Sequence, residues 1–177
     1  MRIIGGQHAG FVIRPPKNLK ARPTTDIAKE SLFNILANKL DFEGLEVLDL
    51  FAGSGGISLE FASRGAATVT AVDVSPVTIN FLKDTKRQLQ LENVTPVKAN
   101  AFKYLENAGQ TWDIIFADPP YDLQNIDNLH KTVFANNLLK PGGLLVIEHA
   151  SNVRLTAEHL TETRKYGQSS FSFYAAL

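Results

Sequence analysis

The 177-residue chain contains no cysteine, so it can form neither a disulfide nor a thiolate metal site, and its composition permits a reducing compartment. Histidines are few. His8, His130, His149 and His159 stand at no metal-ligand spacing, and no metal is expected. Long hydrophobic runs are missing as well: stretches such as residues 143–147 are far too short to cross a bilayer. The N-terminus shows no hydrophobic signal segment, and the expectation is a cytoplasmic protein with no membrane contact. There is no internal repeat and no low-complexity segment, and nothing in the composition suggests disorder.

Acidic residues are absent before Asp26. Residues 1–40 carry seven basic side chains against two acidic ones, a net of +5, and the rest of the chain balances this with 11 basic and 16 acidic. A wholly basic arm on a mildly acidic body suggests a polyanion approached from one end. A solvated arm with no partner is the alternative on charge alone. The apolar fraction of 44% with 20% charged residues suits a globular domain with a sizeable core. We therefore expect one domain over residues 1–177, with a basic arm and helix at 1–40 and the core at 41–177.

Around RIIGG and FVIRP the first twenty residues read as strand-like, with glycines and prolines that suit a hairpin or a loose arm. Thr24-Thr25-Asp26 supplies capping side chains, and Ala28, Leu32, Ile35 and Leu36 recur at helical spacing, which predicts a helix over residues 26–40. Strands and helices then alternate. GLEVLDLFAG, TVTAVDV, Val94 to Lys98, Trp112 to Asp118 and Leu144 to Glu148 read as strands, the last after a Pro141-Gly142-Gly143 turn. Helices are expected through ISLEFASRG, from Pro76 to Leu91, after Lys98 and over 125–137. Strands that are apolar throughout and separated by helices predict an α/β fold, a doubly wound, mostly parallel sheet covered on both faces. Residues 161–166 and 170–176 flank Gly167 and predict an antiparallel C-terminal hairpin.

In such sheets ligands bind beyond the carboxyl ends of the strands, where strand order reverses. The first strand ends on Asp49-Leu50-Phe51-Ala52-Gly53-Ser54-Gly55-Gly56, whose glycines let backbone approach a ligand. The second ends on Asp73, and a carboxylate about twenty positions after a glycine turn suits two ribose hydroxyls. A dinucleotide is disfavoured, because Ser58 occupies the place of the third glycine and Asp49 would repel a pyrophosphate. A carboxylate at Asp49 suits instead a cationic ligand such as the amine or sulfonium of S-adenosylmethionine. Asn100-Ala101-Phe102, after the third strand, could read and pack on adenine, or could be a helix cap followed by a core aromatic.

The fourth strand runs apolar from Ile114 to Ala117 and stops on Asp118-Pro119-Pro120-Tyr121. Proline lacks an N–H and fixes φ, so the two prolines hold an extended turn with carbonyls free to accept. An exocyclic amino group on a purine is a poor nucleophile while its lone pair is delocalised into the ring. The Asp118 carboxylate and the Pro119 carbonyl can accept its two N–H hydrogens and stabilise positive charge developing on nitrogen. Tyr121 offers a face on which the base can stack, worth about 1–3 kcal/mol.

With these residues in view, the chain resembles class I S-adenosylmethionine-dependent methyltransferases of exocyclic amino groups, in DLFAGSGGISLEFASRGA, Asp73 and DPPY. The segments RIIGGQHAGFVIRPP and RPTTDIAKESLFNIL sharpen the resemblance to the bacterial 16S ribosomal RNA guanine-N2 methyltransferase family, which acts on the guanine numbered 966. That resemblance implies a seven-stranded Rossmann-like methyltransferase sheet and S-adenosylmethionine as cofactor. It implies that Asp49, Phe51, Gly53, Ser54 and Gly55 line the methionine side, that Asp73 holds the ribose, and that Asn100, Ala101 and Phe102 meet the adenine. Asp118, Pro119 and Tyr121 would hold the target guanine, and Arg2, Arg14, Lys17, Lys20 and Arg22 would bind phosphates without reading sequence. The implied partner is small-subunit ribosomal RNA in an assembled or assembling subunit, met by a monomer. Three departures stand out: Asn100 where an aspartate is expected, Lys29 in place of an arginine, and GGIS in place of G-A-L-G. The alternatives are an amino methyltransferase on another nucleic acid (adenine-N6) and a non-catalytic RNA-binding assembly factor; the intact glycine turn and DPPY speak against the second.

Overall fold

A computed structural model of the protein describes residues 1–20, 24–155 and 158–176. After α1 (Asp26–Ala37) the chain alternates through β1 (Glu46–Leu50), α2 (Gly56–Ser63), β2 (Thr68–Asp73), α3 (Pro76–Gln88), β3 (Val94–Lys98), α4 (Ala101–Glu106), β4 (Trp112–Ala117), α5 (Asp127–Ala135) and β5 (Leu139–Ala150). It closes on β6 (Leu160–Tyr166) and β7 (Ser169–Ala175). The helices begin where local chemistry favours it. Thr25 Oγ1 accepts from the Ala28 N–H at 3.2 Å to cap α1, and Ser75 caps α3 with Pro76 in its first turn.

The strands form one sheet in the order β3-β2-β1-β4-β5-β7-β6. β3 to β5 pair in parallel, and β7 inserts antiparallel between β5 and β6. This is the expected α/β sheet with an antiparallel C-terminal hairpin. Its central strands β1 and β4 are buried on both faces, which is why, after Glu46, they read as apolar runs interrupted only by Asp49 and Asp113. One face packs Val47, Ile114, Phe116 and Val146 against α1 and α2. The other packs Leu48, Ile115, Leu145 and Ile147 against α4 and α5. Among the described residues no helix is long and apolar enough to cross a membrane.

The N-terminal segment is a docked hairpin and not a loose arm. Ile3 and Ile13 are buried, the Ile3 N–H donates to the Phe11 carbonyl at 2.9 Å, and the Ile13 N–H donates to the Met1 carbonyl at 2.9 Å. The buried carboxylate of Glu60 on α2 anchors it by accepting from the Ile4 and Gly5 N–H groups, each at 2.8 Å. Glu60 also meets Lys29 Nζ at 3.2 Å and Arg64 Nε at 2.8 Å. Lys29 completes the tie by donating to the Arg2 carbonyl. Burial lowers its pKa while Glu60 pulls the other way. Gly6 has φ +77°, and a Cβ there would lie 1.9 Å from the Ser63 carbonyl oxygen, so RIIGG fits against α2 only with glycine at that place.

Pro141-Gly142-Gly143 is not the turn that precedes β5. It lies inside the strand, which starts at Leu139, and the pairing with β4 slips there from Trp112↔Leu139 to Ile114↔Leu144. The extra residues interrupt the ladder, which accommodates a proline without an N–H and a glycine at φ +74° within the strand. α5 is also shorter than the apolar spacing predicts, ending at Ala135, because Asn136 and Asn137 turn the chain into β5.

Candidate active site

The chain runs outward from β1 through β2 to β3, then returns to place β4 on the other side of β1. Strand order therefore reverses between β1 and β4, and the crevice at their carboxyl ends is where a sheet of this kind takes a ligand. Leu50 pairs with Val72 and with Ala117, and Ala117 pairs with Ile147. Phe51, Asp73, Asp118 and Glu148, each the next residue along its chain, therefore stand abreast across four neighbouring strands.

The glycine turn leaves β1 through strained backbone. Phe51 has φ +61°, a left-handed conformation that a bulky residue rarely adopts, and its ring packs on the α4–α5 side of the sheet. Gly55 has φ +76° and caps α2 without a side chain; a Cβ there would lie 2.2 Å from Leu82 Cδ2. Asp73 ties the turn to β2: one carboxylate oxygen accepts the Gly53 N–H at 2.9 Å and the other the Ser75 N–H at 2.8 Å. Ser54 Oγ lies 3.5 Å from the Met1 sulfur, so the N-terminal hairpin reaches the same turn.

Asp49 does not point openly into the crevice, as its position suggested. It is 1% exposed, behind the turn, and accepts from Ser58 Oγ at 2.5 Å. Burial pushes its pKa up to about 7, with the Ser58 hydrogen bond opposing and the nearby Asp73 adding to the rise. Ser58, noticed in the sequence only as a missing glycine, is thus the partner of this carboxylate. At the end of β3, Asn100 takes the helix-cap alternative: its side-chain oxygen accepts from the Lys103 N–H at 3.2 Å, Ala101 is buried and Phe102 packs on the core.

Beyond β4, Asp118 is half-buried, Pro119 buried and Pro120 exposed. The Pro120 carbonyl is not free, since it accepts the Leu123 N–H at 2.9 Å. Tyr121 is 46% exposed and its hydroxyl lies 2.6 Å from Ser169 Oγ at the start of β7, which holds the ring at the mouth of the crevice. Sequence reasoning missed Glu148. It is 5% exposed, and its Oε2 accepts from Thr24 Oγ1 at 3.2 Å, just before α1. The signal was present, because LLVIE closes an apolar run on a carboxylate as TAVD and IIFAD do.

Among the basic side chains, Arg2 is exposed and meets Asp26 at 3.7 Å. Arg14, Lys17 and Lys20 are exposed on the segment that leads from the hairpin towards Thr24. Arg22 lies outside the described residues. Among the described residues, no group of His, Asp and Glu side chains could hold a metal ion.

A mostly parallel sheet with an antiparallel C-terminal hairpin, a glycine turn after β1 and DPPY after β4 define a Rossmann-like methyltransferase. The model of a family described as "Conserved hypothetical protein 95" matches residues 1–175. The putative rRNA methyltransferase YlbH of Bacillus subtilis is 34% identical over 98% of both chains. Ribosomal RNA small subunit methyltransferase D of Escherichia coli is 34% identical over 84% of this chain and 74% of its own. The structure described as putative methyltransferase yhhF from Escherichia coli superposes with a TM-score of 0.87 at 30% identity, covering 99% of this chain and 97% of that one. The chain belongs to this family of ribosomal RNA methyltransferases.

Proposed function

We propose that the enzyme transfers a methyl group from S-adenosylmethionine to the exocyclic 2-amino group of a guanine in small-subunit ribosomal RNA, the guanine numbered 966 in 16S RNA. The observation that carries this reading is the parallel register that sets the glycine turn of β1 beside Asp118-Pro119-Pro120-Tyr121. The donor set fits the cofactor. Asp73 beside a glycine turn suits a ribose diol, and a buried carboxylate at Asp49 suits a cation and opposes a phosphate. Phe51, Gly53, Ser54 and Gly55 would line the methionine side, with Asn100, Ala101 and Phe102 towards the adenine. The bound cofactor supplies an electrophilic methyl group on a sulfonium, whose departure leaves a neutral thioether.

The protein's own part is to make the amino nitrogen a nucleophile. Asp118 accepts one N–H hydrogen and the Pro119 carbonyl the other, so the lone pair is drawn out of conjugation and towards the methyl carbon. Among the described residues no N–H or hydroxyl donates to the Pro119 carbonyl, which keeps it available. The methylated nitrogen is acidic and releases its proton once the new N–C bond has formed, with Asp118 the nearest acceptor. Tyr121 stacks on the base and offsets the few kcal/mol, roughly, that unstacking it from the RNA costs. The exposed cations Arg2, Arg14, Lys17 and Lys20, with Arg22, bind phosphates of the RNA in an assembled or assembling subunit.

The test is radiolabelled methyl transfer to small subunits lacking the modification, naked 16S RNA and duplex DNA, side by side, with the product nucleoside identified. N2-methylguanosine formed on the subunit is expected. Label on DNA or on an adenine, or no S-adenosylmethionine binding by calorimetry, overturns the reading.

A further inference from the structure

We infer that Glu148 is the residue that tells guanine from other purines, accepting the ring N1–H of the target base while Asp118 and the Pro119 carbonyl hold its amino group; the inference rests on the guanine reading above. Three observations lead here. First, the pairing Ala117↔Ile147 makes Asp118 and Glu148 the next residues on adjacent parallel strands, which lie about 4.8 Å apart in any sheet. Second, alternation along the strands gives Glu148 the face of Val146 and Phe116, the one covered by α1 and α2. Ser169, whose hydroxyl holds Tyr121, lies on that face too, two residues before Phe171, the partner of Glu148. The Glu148 carboxylate and the anchor of the stacking ring thus share one face of the sheet, next to the strand end that carries Asp118. Third, Glu148 is 5% exposed and the Thr24 hydroxyl orients it, so its carboxylate is a positioned group and not a surface charge.

The chemistry selects the base. In guanine the amino group at C2 adjoins N1–H, a donor, so two acceptors side by side match its edge. Adenine presents an unprotonated N1 beside its amino group, and 2-aminopurine carries the same 2-amino group beside an unprotonated N1. Either would turn a lone pair towards the Glu148 carboxylate. A buried acceptor left facing an acceptor is the situation that yields large discrimination between otherwise similar substrates. An N1–H···carboxylate bond also pushes electron density into the ring and towards the amino nitrogen, which assists its attack. Glu148 then sets which base reacts, and Asp118 which atom of it.

The experiment compares wild type and Glu148→Gln on small subunits reconstituted with RNA carrying either guanine or 2-aminopurine at the target position. The wild type is expected to prefer guanine by about 10²-fold or more in kcat/KM. Glu148→Gln can donate its amide N–H to an unprotonated N1, so its preference should shrink at least about tenfold, with gained activity on 2-aminopurine. A merely structural role would lower both activities together. Calorimetric affinity for S-adenosylmethionine, expected unchanged, shows that the variant is folded. Should it fail that control, Glu148→Asp, which keeps the charge, is read on the same pair; a guanine preference retained at lower kcat supports the assignment, and one that is lost overturns it. A guanine to 2-aminopurine ratio in Glu148→Gln equal to that of the wild type also overturns it. Failure of the wild type to methylate guanine at all would instead bring down the guanine reading itself.

Discussion

At the scale of single residues, two carboxylates, one near the end of β1 and one after β4, sit in different environments. In the proposed reaction Asp118 accepts from the amino group of the base, and it is half-buried just after β4. Its replacement by alanine is expected to lower kcat by roughly 10²–10³-fold, the cost of removing one group that stabilises developing charge. Cofactor affinity by calorimetry should stay within about twofold of the wild type, and a variant that loses both together would place Asp118 in the fold and not in the chemistry. Asp49 is buried, with its pKa raised from 3.8 to about 7. Without ligand, the folded chain keeps a proton that the unfolded chain has shed across that interval. This group's contribution to stability is therefore full below about pH 4 and is lost as pH rises through about 7. A cation bound near Asp49 favours the ionised form, so affinity for S-adenosylmethionine should strengthen from about pH 6 to about pH 8 and level off above. In Asp49→Asn the profile should be flat. A wild-type affinity that does not change over that range would remove Asp49 from cofactor binding. Both carboxylates were legible in the sequence as acids closing apolar strands. Their environments were not, because the burial of Asp49 comes from Ser58 and α2 folding over it, nine residues along the chain.

At the scale of elements, the sequence shows its parallel strands plainly and its irregular pieces poorly. β1 and β4 are buried on both sides and so are apolar at nearly every position, which only a central strand or a buried helix would need. The N-terminal hairpin is short, and its strand character comes from a single bridge, Arg2↔Val12, so periodicity says little there. What fixes it is a buried ion cluster between elements that are far apart in sequence. Lys29 and Glu60 have fully buried side chains, and Glu60 spends its remaining acceptor capacity on Ile4, Gly5 and Arg64. Lys29→Met leaves that carboxylate under-compensated and is expected to destabilise the fold by about 3–5 kcal/mol, read as a lowered denaturant midpoint. Many buried pairs can be exchanged together for apolar residues at little cost, but this one should not be. In Lys29→Met/Glu60→Leu the Ile4 and Gly5 N–H groups lose their acceptor, a penalty of about 1–3 kcal/mol each where water cannot replace it. A double variant as stable as the wild type would show that the hairpin is anchored without the ion cluster, by Ile3 and Ile13 and by its hydrogen bonds to Ser63.

At the scale of the whole molecule, the zero net charge divides into a basic N-terminal end and an acidic remainder, and the fold gives that division a direction. The docked hairpin carries its chain back across α2 and the glycine turn, and the segment bearing Lys17 and Lys20 then leads to Thr24, which bonds Glu148 beside the crevice. A polyanion held by those cations would lie across the carboxyl ends of β1, β4 and β5, where a flipped base could meet Asp118 and Tyr121. Neutralising both lysines, Lys17→Ala/Lys20→Ala, should therefore raise KM for small subunits while leaving kcat and cofactor affinity near the wild-type values. Each phosphate contact removed should also flatten the plot of log kcat/KM against log salt by about 0.7–0.9, because fewer counterions are released on binding. Specificity for the base should not change, since phosphate contacts position the RNA and do not read it. If the salt slope of the double variant matches that of the wild type, these cations face solvent in the complex and make no phosphate contacts.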